Sequence, residues 1–280
     1  MPLIYEPAGR AREYAALSCN IYRGCDHGCT YCYAPSATQM GVNEFVHSKP
    51  RAGNFLSDLD KEAVARSRTI GTSQVLLCFT CDPYQALDAK LGTTRQVIQI
   101  LHRHGFSVCT LTKGGKRALR DLDLFTAQDA FATSLTLLDP ATSRRWEPDA
   151  ALPDERIATL QAFHAASIPT WVSLEPVLDP AAALEIIRRT HGFVDLYKIG
   201  KLNHHSHAQT IDWRKWANES TALLDSLGKR YYVKDDLRVF LTRQPVNAVS
   251  RSTPSAAPHS KRSLHRLRRQ SNCQCSKTAE

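Results

Sequence analysis

The sequence predicts an α/β fold, a partial barrel of about six β/α units. Three observations lead there. From residue 75 onward, short apolar runs alternate with segments of helical spacing. The apolar runs are near-continuous, as in parallel strands buried on both faces. Polar and sulfur-bearing residues recur just after these runs, where parallel α/β folds place their chemistry.

The elements follow in order. An initial strand lies near residues 18–23, and QVLLCFT (74–80) is a second. TTRQVIQILHRHG (93–105) has helical spacing and stops at a glycine. FSVCTLT (106–112) is a strand, KRALRDLDLF (116–125) a helix, and AFATSLTLL (130–138) a strand. PDERIATLQAFHAAS (153–167) carries Ile157, Leu160 and Phe163 on one helical face. IPTWVSLEPVL (168–178) is a strand. In DPAAALEIIRRTHG (179–192), Asp179 suits the N-cap, Pro180 the first helical position and Gly192 the stop. FVDLYKIG (193–200) is a strand, 211–228 a helix and KRYYVK (229–234) a last strand. Six units fall short of the eight that close a barrel, so an open or partial barrel is expected rather than a doubly wound sheet.

Composition sets the frame. The chain has 280 residues, a net charge of +9 and 42% apolar content, which suits one large domain or two small ones. Residues 244–280 hold seven Lys/Arg against one acid, so +6 of the charge sits there and +3 in 1–243. That segment is rich in Ser, Pro and Ala and reads as a disordered basic tail on a 1–243 core domain. A basic tail can touch nucleic acid or be solvated with no partner. MPLIYEPAGR lacks the apolar core of a secretory signal, and no run approaches the roughly 18 apolar residues of a membrane span. A cytoplasmic monomer with reduced thiols and no membrane partner is therefore the expectation. Nine cysteines in such a setting point to metal binding or chemistry rather than staples.

The densest cluster is GCDHGCTYCYA (24–34), with Cys25, Cys29 and Cys32 inside eight residues. A closed structural zinc site takes four ligands, and only three thiols are local. His27 lies between them, in a position that would strain it as a fourth. Three fixed ligands leave one coordination position open, which implies chemistry. Thiolates suit iron–sulfur clusters as well as zinc.

Cys25-Asp-His-Gly-Cys29-Thr-Tyr-Cys32 resembles the signature of the radical S-adenosylmethionine (SAM) enzymes. The resemblance implies a 4Fe–4S cluster on Cys25, Cys29 and Cys32 and a barrel of the radical SAM type. The fourth iron is then left for the amino and carboxylate groups of SAM. It also implies reductive cleavage of SAM to a 5′-deoxyadenosyl radical that abstracts hydrogen from a substrate, with Tyr31 beside the adenine. A reductant such as flavodoxin or ferredoxin is implied as partner. NIYRGCDHGCTYCYA (20–34), FTCDPYQALD (79–88), LTKGGKRALRDLDL (111–124) and SLTLLDP (134–140) are similar to the spore photoproduct lyase-like branch. The likeness covers about 15–243. With the basic charge balance, it makes nucleic acid a candidate substrate.

The family's Gly-Gly-Glu after the second strand is absent. CDPYQ stands there, which makes Thr80, Asp82 and Tyr84 positional candidates for SAM. Lys113 and Ser134 are placed to meet the SAM carboxylate and ribose, or are an exposed lysine and a strand-end serine. Glu175 ends an apolar strand, where a carboxylate needs a partner such as a ribose hydroxyl or Lys198. Cys81 is a candidate catalytic thiol; Cys78, Cys109 and Cys19 read as buried packing. Tyr197, Lys198 and Lys201 would bind an anion or form a solvated rim. His204, His205 and His207 would bind metal or be incidental. The competing function is a zinc-binding nucleic-acid module that uses the three cysteines with His27.

Overall fold

The structure is a computed structural model that describes residues 2–69 and 73–250. Among the described residues nine strands form: β1 Leu17–Cys19, β2 Tyr22–Arg23, β3 Lys49–Pro50, β4 Val75–Leu77, β5 Val108–Thr112, β6 Ala130–Ser134, β7 Thr170–Leu174, β8 Leu196–Ile199 and β9 Arg230–Val233. Seven of them make one sheet in the order β1-β4-β5-β6-β7-β8-β9, with every neighbouring pair parallel. Its two end strands do not pair with each other, so the barrel is partial, as the alternation predicts. β2 and β3 form a separate antiparallel ribbon.

Alternate strand residues face opposite sides. One side carries Val75, Leu77, Val108, Phe131, Val172 and Tyr197 into the main core, under helices such as Thr93–Arg103 and Pro153–Ala165. Phe131 stacks on Phe163 with ring centroids 3.8 Å apart. The other side gathers Leu76, Cys109, Ala130, Ala132, Trp171 and Leu196, with Tyr14 packed against them. The Trp171 indole donates to the Cys109 sulfur at 3.2 Å, so Cys109 is packing, as are the buried Cys19 and Cys78.

Both sheet edges are covered. Tyr5 bridges Ser18 on β1 in antiparallel fashion, and Ala248 lies parallel to Tyr231 on β9. The Val249 amide donates to the Tyr231 carbonyl at 2.8 Å, so the packed chain runs past residue 243. The rest of the basic tail, 251–280, lies outside the described residues.

Several expected elements shift. Strands expected over 106–112, 130–138 and 168–178 shorten to β5, β6 and β7; residues 135–138 and 175–178 follow as loops at the carboxyl ends, and 106–107 and 168–169 precede their strands. The helix expected over 116–125 is a 3-10 helix, Gly115–Leu124. A 15-residue helix, Phe55–Thr69, fills the first crossover and was not anticipated. It buries only Phe55, Leu59 and Ala63, a thin stripe on a polar helix. Helix Pro140–Trp146, with Asp139 capping the Thr142 amide at 2.7 Å, was also missed.

Candidate active site

The cysteine loop is shaped by its first glycine. Gly24 has φ +74°, and a Cβ there would sit 2.3 Å from the Phe45 carbonyl oxygen. That same oxygen accepts from the Cys25 amide at 2.9 Å, so the loop enters pressed against the 41–48 segment. Asp26 then accepts from the Ala86 and Leu87 amides at 3.1 and 3.0 Å, and the Gln85 side chain accepts from the Asp26 amide at 2.9 Å. On the other side, the Thr30 amide donates to the Trp146 carbonyl at 2.9 Å and the Asp149 amide to the His27 carbonyl at 3.2 Å.

The loop forms one end of a cavity of about 450 Å³ at the carboxyl ends of the strands. Cys25, Cys29, Tyr31 and Cys32 line it, with Thr80, Cys81 and Asp82 after β4 and Thr112 and Lys113 at the end of β5. Ser134 of β6, Glu175 after β7, Lys201 and Asn203 after β8, and Lys234 after β9 complete the walls. The strand ends thus bring together all but one of the residues expected to hold the cluster and SAM.

The exception is Tyr84. It is 1% exposed, packed in the main core and absent from the cavity wall. Pro83 and Tyr84 turn away from the cavity because Asp82 takes the Tyr84 amide at 2.8 Å. Asp82 itself is a brace. Its carboxylate also accepts from the Thr112 hydroxyl at 2.6 Å and the Lys113 amide at 2.7 Å, with His27 Nδ1 at 3.4 Å. Asp82 therefore ties β4 to β5 and to the cysteine loop.

His27 is 2% exposed, and both its ring nitrogens are engaged: Nδ1 faces Asp82, and Nε2 lies 3.0 Å from an Arg117 guanidinium nitrogen. It is not free to be a fourth metal ligand. Among the described residues, no three His, Cys, Asp or Glu side chains meet around a point that would hold a single metal ion. A zinc ion needs that convergence, whereas each thiolate of a cluster binds a different iron. His205 and His207 also form no metal site. They flank Trp146 at 5.2 and 5.5 Å, and His207 bonds the Leu178 carbonyl at 2.8 Å.

The charges around the loop suit an anionic group. Lys113 lies 5.8 Å above the Tyr31 ring, and Arg117 has a buried Nε without a partner. Burial works against the Lys113 charge, but Cys29 and Glu147 nearby raise its pKa. Loss of solvent pushes the Cys29 thiol up to about 12 and raises Cys25 and Cys32 as well. Without a metal the three are neutral thiols, and iron supplies the positive charge that favours thiolate. Three thiols and two cations beside them fit a 4Fe–4S cluster, which is anionic when held by three thiolates.

Behind the loop lies a pair that sequence reasoning missed. Glu147 and Arg156 are each 1% exposed and 2.5 Å apart. The Tyr31 hydroxyl donates to Glu147, and Arg156 also donates to the Ser134 and Ala151 carbonyls at 3.0 and 2.7 Å. Burial alone would raise Glu147, but Arg156 and then Lys113 hold it below the usual carboxylate range. Burial first, then the Glu147 charge, keeps the Tyr31 phenol protonated as a donor. Tyr31 so presents its ring, rather than its hydroxyl, to the cavity.

At the other end, Glu175 has partners, but not Lys198. Lys234 pairs with Glu175, the Tyr14 hydroxyl donates to it at 2.5 Å, and Arg10 lies 3.6 Å away. Gly200 is required beside it, since a Cβ there would meet the Glu175 carboxyl carbon at 2.9 Å. Lys198 instead donates to the Tyr14 carbonyl at 2.7 Å and lies 4.6 Å over the Trp171 ring, outside the cavity wall. No sequence signal linked Lys234, Arg117 or Glu147 to the site, because each arrives from a distant segment.

Comparisons with known proteins agree with this geometry. Among curated proteins, the chain is 29% identical over 176 residues to an uncharacterized protein of Mycobacterium tuberculosis (strain ATCC 25618 / H37Rv), covering 57% of this chain and 48% of that one. It is 24% identical over 187 residues to an uncharacterized protein of Methanocaldococcus jannaschii, covering 66% and 69%. The chain thus spans about half the length of the mycobacterial relatives it matches. Among solved structures, a spore photoproduct lyase variant aligns with a TM-score of 0.65 at 12% identity, covering 82% of this chain and 79% of that one. A second variant, with bound AdoMet and dinucleoside spore photoproduct, aligns at 0.57 and 15%, covering 70% and 59%. Streptococcus suis SuiB bound to S-adenosylmethionine aligns at 0.55 and 12%, covering 77% and 49%. At these identities the structural matches establish the fold. The family profile of the radical SAM superfamily matches residues 19–191, more than half of the chain and the stretch that holds Cys25, Cys29 and Cys32. The chain therefore belongs to the radical SAM superfamily, whose cofactors are a 4Fe–4S cluster and S-adenosylmethionine.

Proposed function

We propose that this protein cleaves SAM reductively and uses the resulting radical to take a hydrogen atom from a substrate. The observation that carries the reading is the three-thiol loop, with no fourth protein ligand among the described residues, at one end of a cavity that the strand ends surround. When bound, the cluster supplies the electron that splits SAM into methionine and a 5′-deoxyadenosyl radical.

The chain's own residues hold and orient. Cys25, Cys29 and Cys32 are the cluster ligands. Tyr31 offers its ring to the adenine while Glu147 holds its hydroxyl from behind. Lys113 receives the SAM carboxylate, and Ser134 and Thr80 the polar parts of its ribose and methionine. Asp82 braces this wall rather than contacting SAM. Glu175, paired with Lys234 and Arg10, offers a carboxylate oxygen to a hydroxyl at the far end. Cys81 also lines the cavity and is the candidate thiol to quench a radical.

Nucleic acid is the substrate class to test first. Lys201, which pairs with no carboxylate among the described residues, suits an anionic group at the far end, and a structural neighbour holds a dinucleoside spore photoproduct. An acidic one-electron carrier such as flavodoxin or ferredoxin is the proposed reductant. The zinc module loses ground on His27, whose two nitrogens are already committed.

The test is anaerobic. Protein reconstituted with iron and sulfide, then reduced and given SAM, should yield 5′-deoxyadenosine, while Cys29→Ala yields none. Retention of zinc with no product from the wild type would overturn the reading.

A further inference from the structure

The β2–β3 ribbon carries a charge arrangement that folding alone does not favour. Its register places Arg23 directly opposite Lys49. Residues directly opposite in an antiparallel pair project to the same face, and like charges there repel. Both side chains are exposed. Arg51, one residue past β3, rests 5.8 Å over the Phe55 ring.

Among the described residues, none of these three cations is ion-paired with a carboxylate. Other arginines do reach one: Arg95 lies 2.7 Å from Asp123, and Arg189 3.0 Å from Asp154. Asp26, the closest acid in sequence to Arg23, is committed to the Ala86 and Leu87 amides and the Ser48 hydroxyl. Glu44, in the segment between the two strands, pairs with neither cation.

The ribbon is part of the cysteine loop's frame. Arg23 is two residues before Cys25, and the Cys25 amide bonds Phe45 between β2 and β3. Two residues span at most about 7 Å. A partner seated on Arg23 and Lys49 therefore rests against the loop that holds the cluster ligands. The cations at the far end of the cavity, Arg10, Lys201 and Lys234, belong to other segments of the chain, so a partner on the ribbon need not compete with substrate there.

We infer that the Arg23/Lys49/Arg51 ribbon is the docking surface for an acidic one-electron carrier protein. This rests on the function proposed above. The carrier is oxidised by one electron and the cluster reduced by one, with no bond made or broken. The unpaired cations draw in the acidic partner and set its orientation, as complementary charge does at transient interfaces.

The experiment separates the two ideas by using two reductants. Reconstituted wild type and Lys49→Glu are given SAM with either dithionite or reduced flavodoxin, and 5′-deoxyadenosine is measured. Lys49→Glu turns a repelling cross-strand pair into an attracting one, so its Tm should rise. Its dithionite-driven rate should match the wild type. Its rate with sub-saturating flavodoxin should fall about tenfold, with the gap closing at high salt. An equal flavodoxin-driven rate in the two proteins overturns the dock. So does a loss shared equally by dithionite, or a loss of oligonucleotide binding with flavodoxin-driven turnover intact, which would make the ribbon a nucleic-acid contact. Wild type that makes no product even with dithionite overturns the proposed function, and the dock with it.

Discussion

The two ends of the cavity handle charge in opposite ways. At the cysteine end, Lys113 and Arg117 face the loop without a carboxylate of their own, and Arg117 leaves a buried nitrogen unbonded. At the far end, Glu175 is matched by Lys234, Arg10 and the Tyr14 hydroxyl. The first end is complete only when an anionic group arrives. The second is already neutralised and can act on a ligand by hydrogen bonding at little electrostatic cost. The difference separates a seat for a resident cofactor from a surface that meets successive ligands.

The largest test strikes the support of the cysteine end. Glu147→Ala leaves Arg156 buried without its carboxylate and frees Tyr31, and should cost about 4 kcal/mol of stability in urea unfolding. Lys198 then sharpens the contrast. It too lacks a paired carboxylate, and burial, opposed by the nearby Cys109 thiol, lowers its pKa to about 8. Between pH 8 and its unfolded value, the unfolded chain binds more protons there, so stability rises with pH by about 3 kcal/mol. Lys198→Met should abolish that rise and stabilise the protein near neutrality, as read from unfolding midpoints across the range.

At the far end, Glu175→Ala removes the carboxylate opposite Lys234, which is 2% exposed. A loss of about 2 kcal/mol is expected, less than for Glu147 because Glu175 retains contact with solvent. Its cluster content, measured as iron per chain, should match the wild type. Arg117→Gln should do the reverse. Its effect on the fold should be small, and the reduced cluster should lose stabilisation on the order of 1 kcal/mol, seen as a lower midpoint potential in an EPR-monitored titration.

The sequence made one of these ends much more legible than the other. Cys25, Cys29 and Cys32 lie within a single turn-rich stretch, so their spacing carries the signal. The β/α alternation is equally local, and the seven-stranded sheet follows it closely. Glu175 stood out as a carboxylate ending an apolar run that needs a partner such as a lysine, but the lysine is Lys234 rather than Lys198. Lys198 lies in the next strand and looked close, but it points to the Trp171 side, while Lys234 arrives from β9. Asp82 and Tyr84 looked like equivalent strand-end polar residues. Only the turn after β4 reveals that one braces the wall and the other packs in the core. Helix Phe55–Thr69 escaped because its stripe is only three residues wide.

The coverings of β1 and β9 bear on how the protein behaves in concentrated solution. Residues 247–249 occupy backbone groups of Tyr231 that would otherwise be open to another chain. A chain cut at residue 243 would keep every residue of the cavity wall and still bare the β9 edge, with Tyr231, Tyr232 and Val233 along it. Bare edges of that kind recruit strands from neighbouring molecules. Self-association, rather than lost chemistry, is the expected fate of that shortened form.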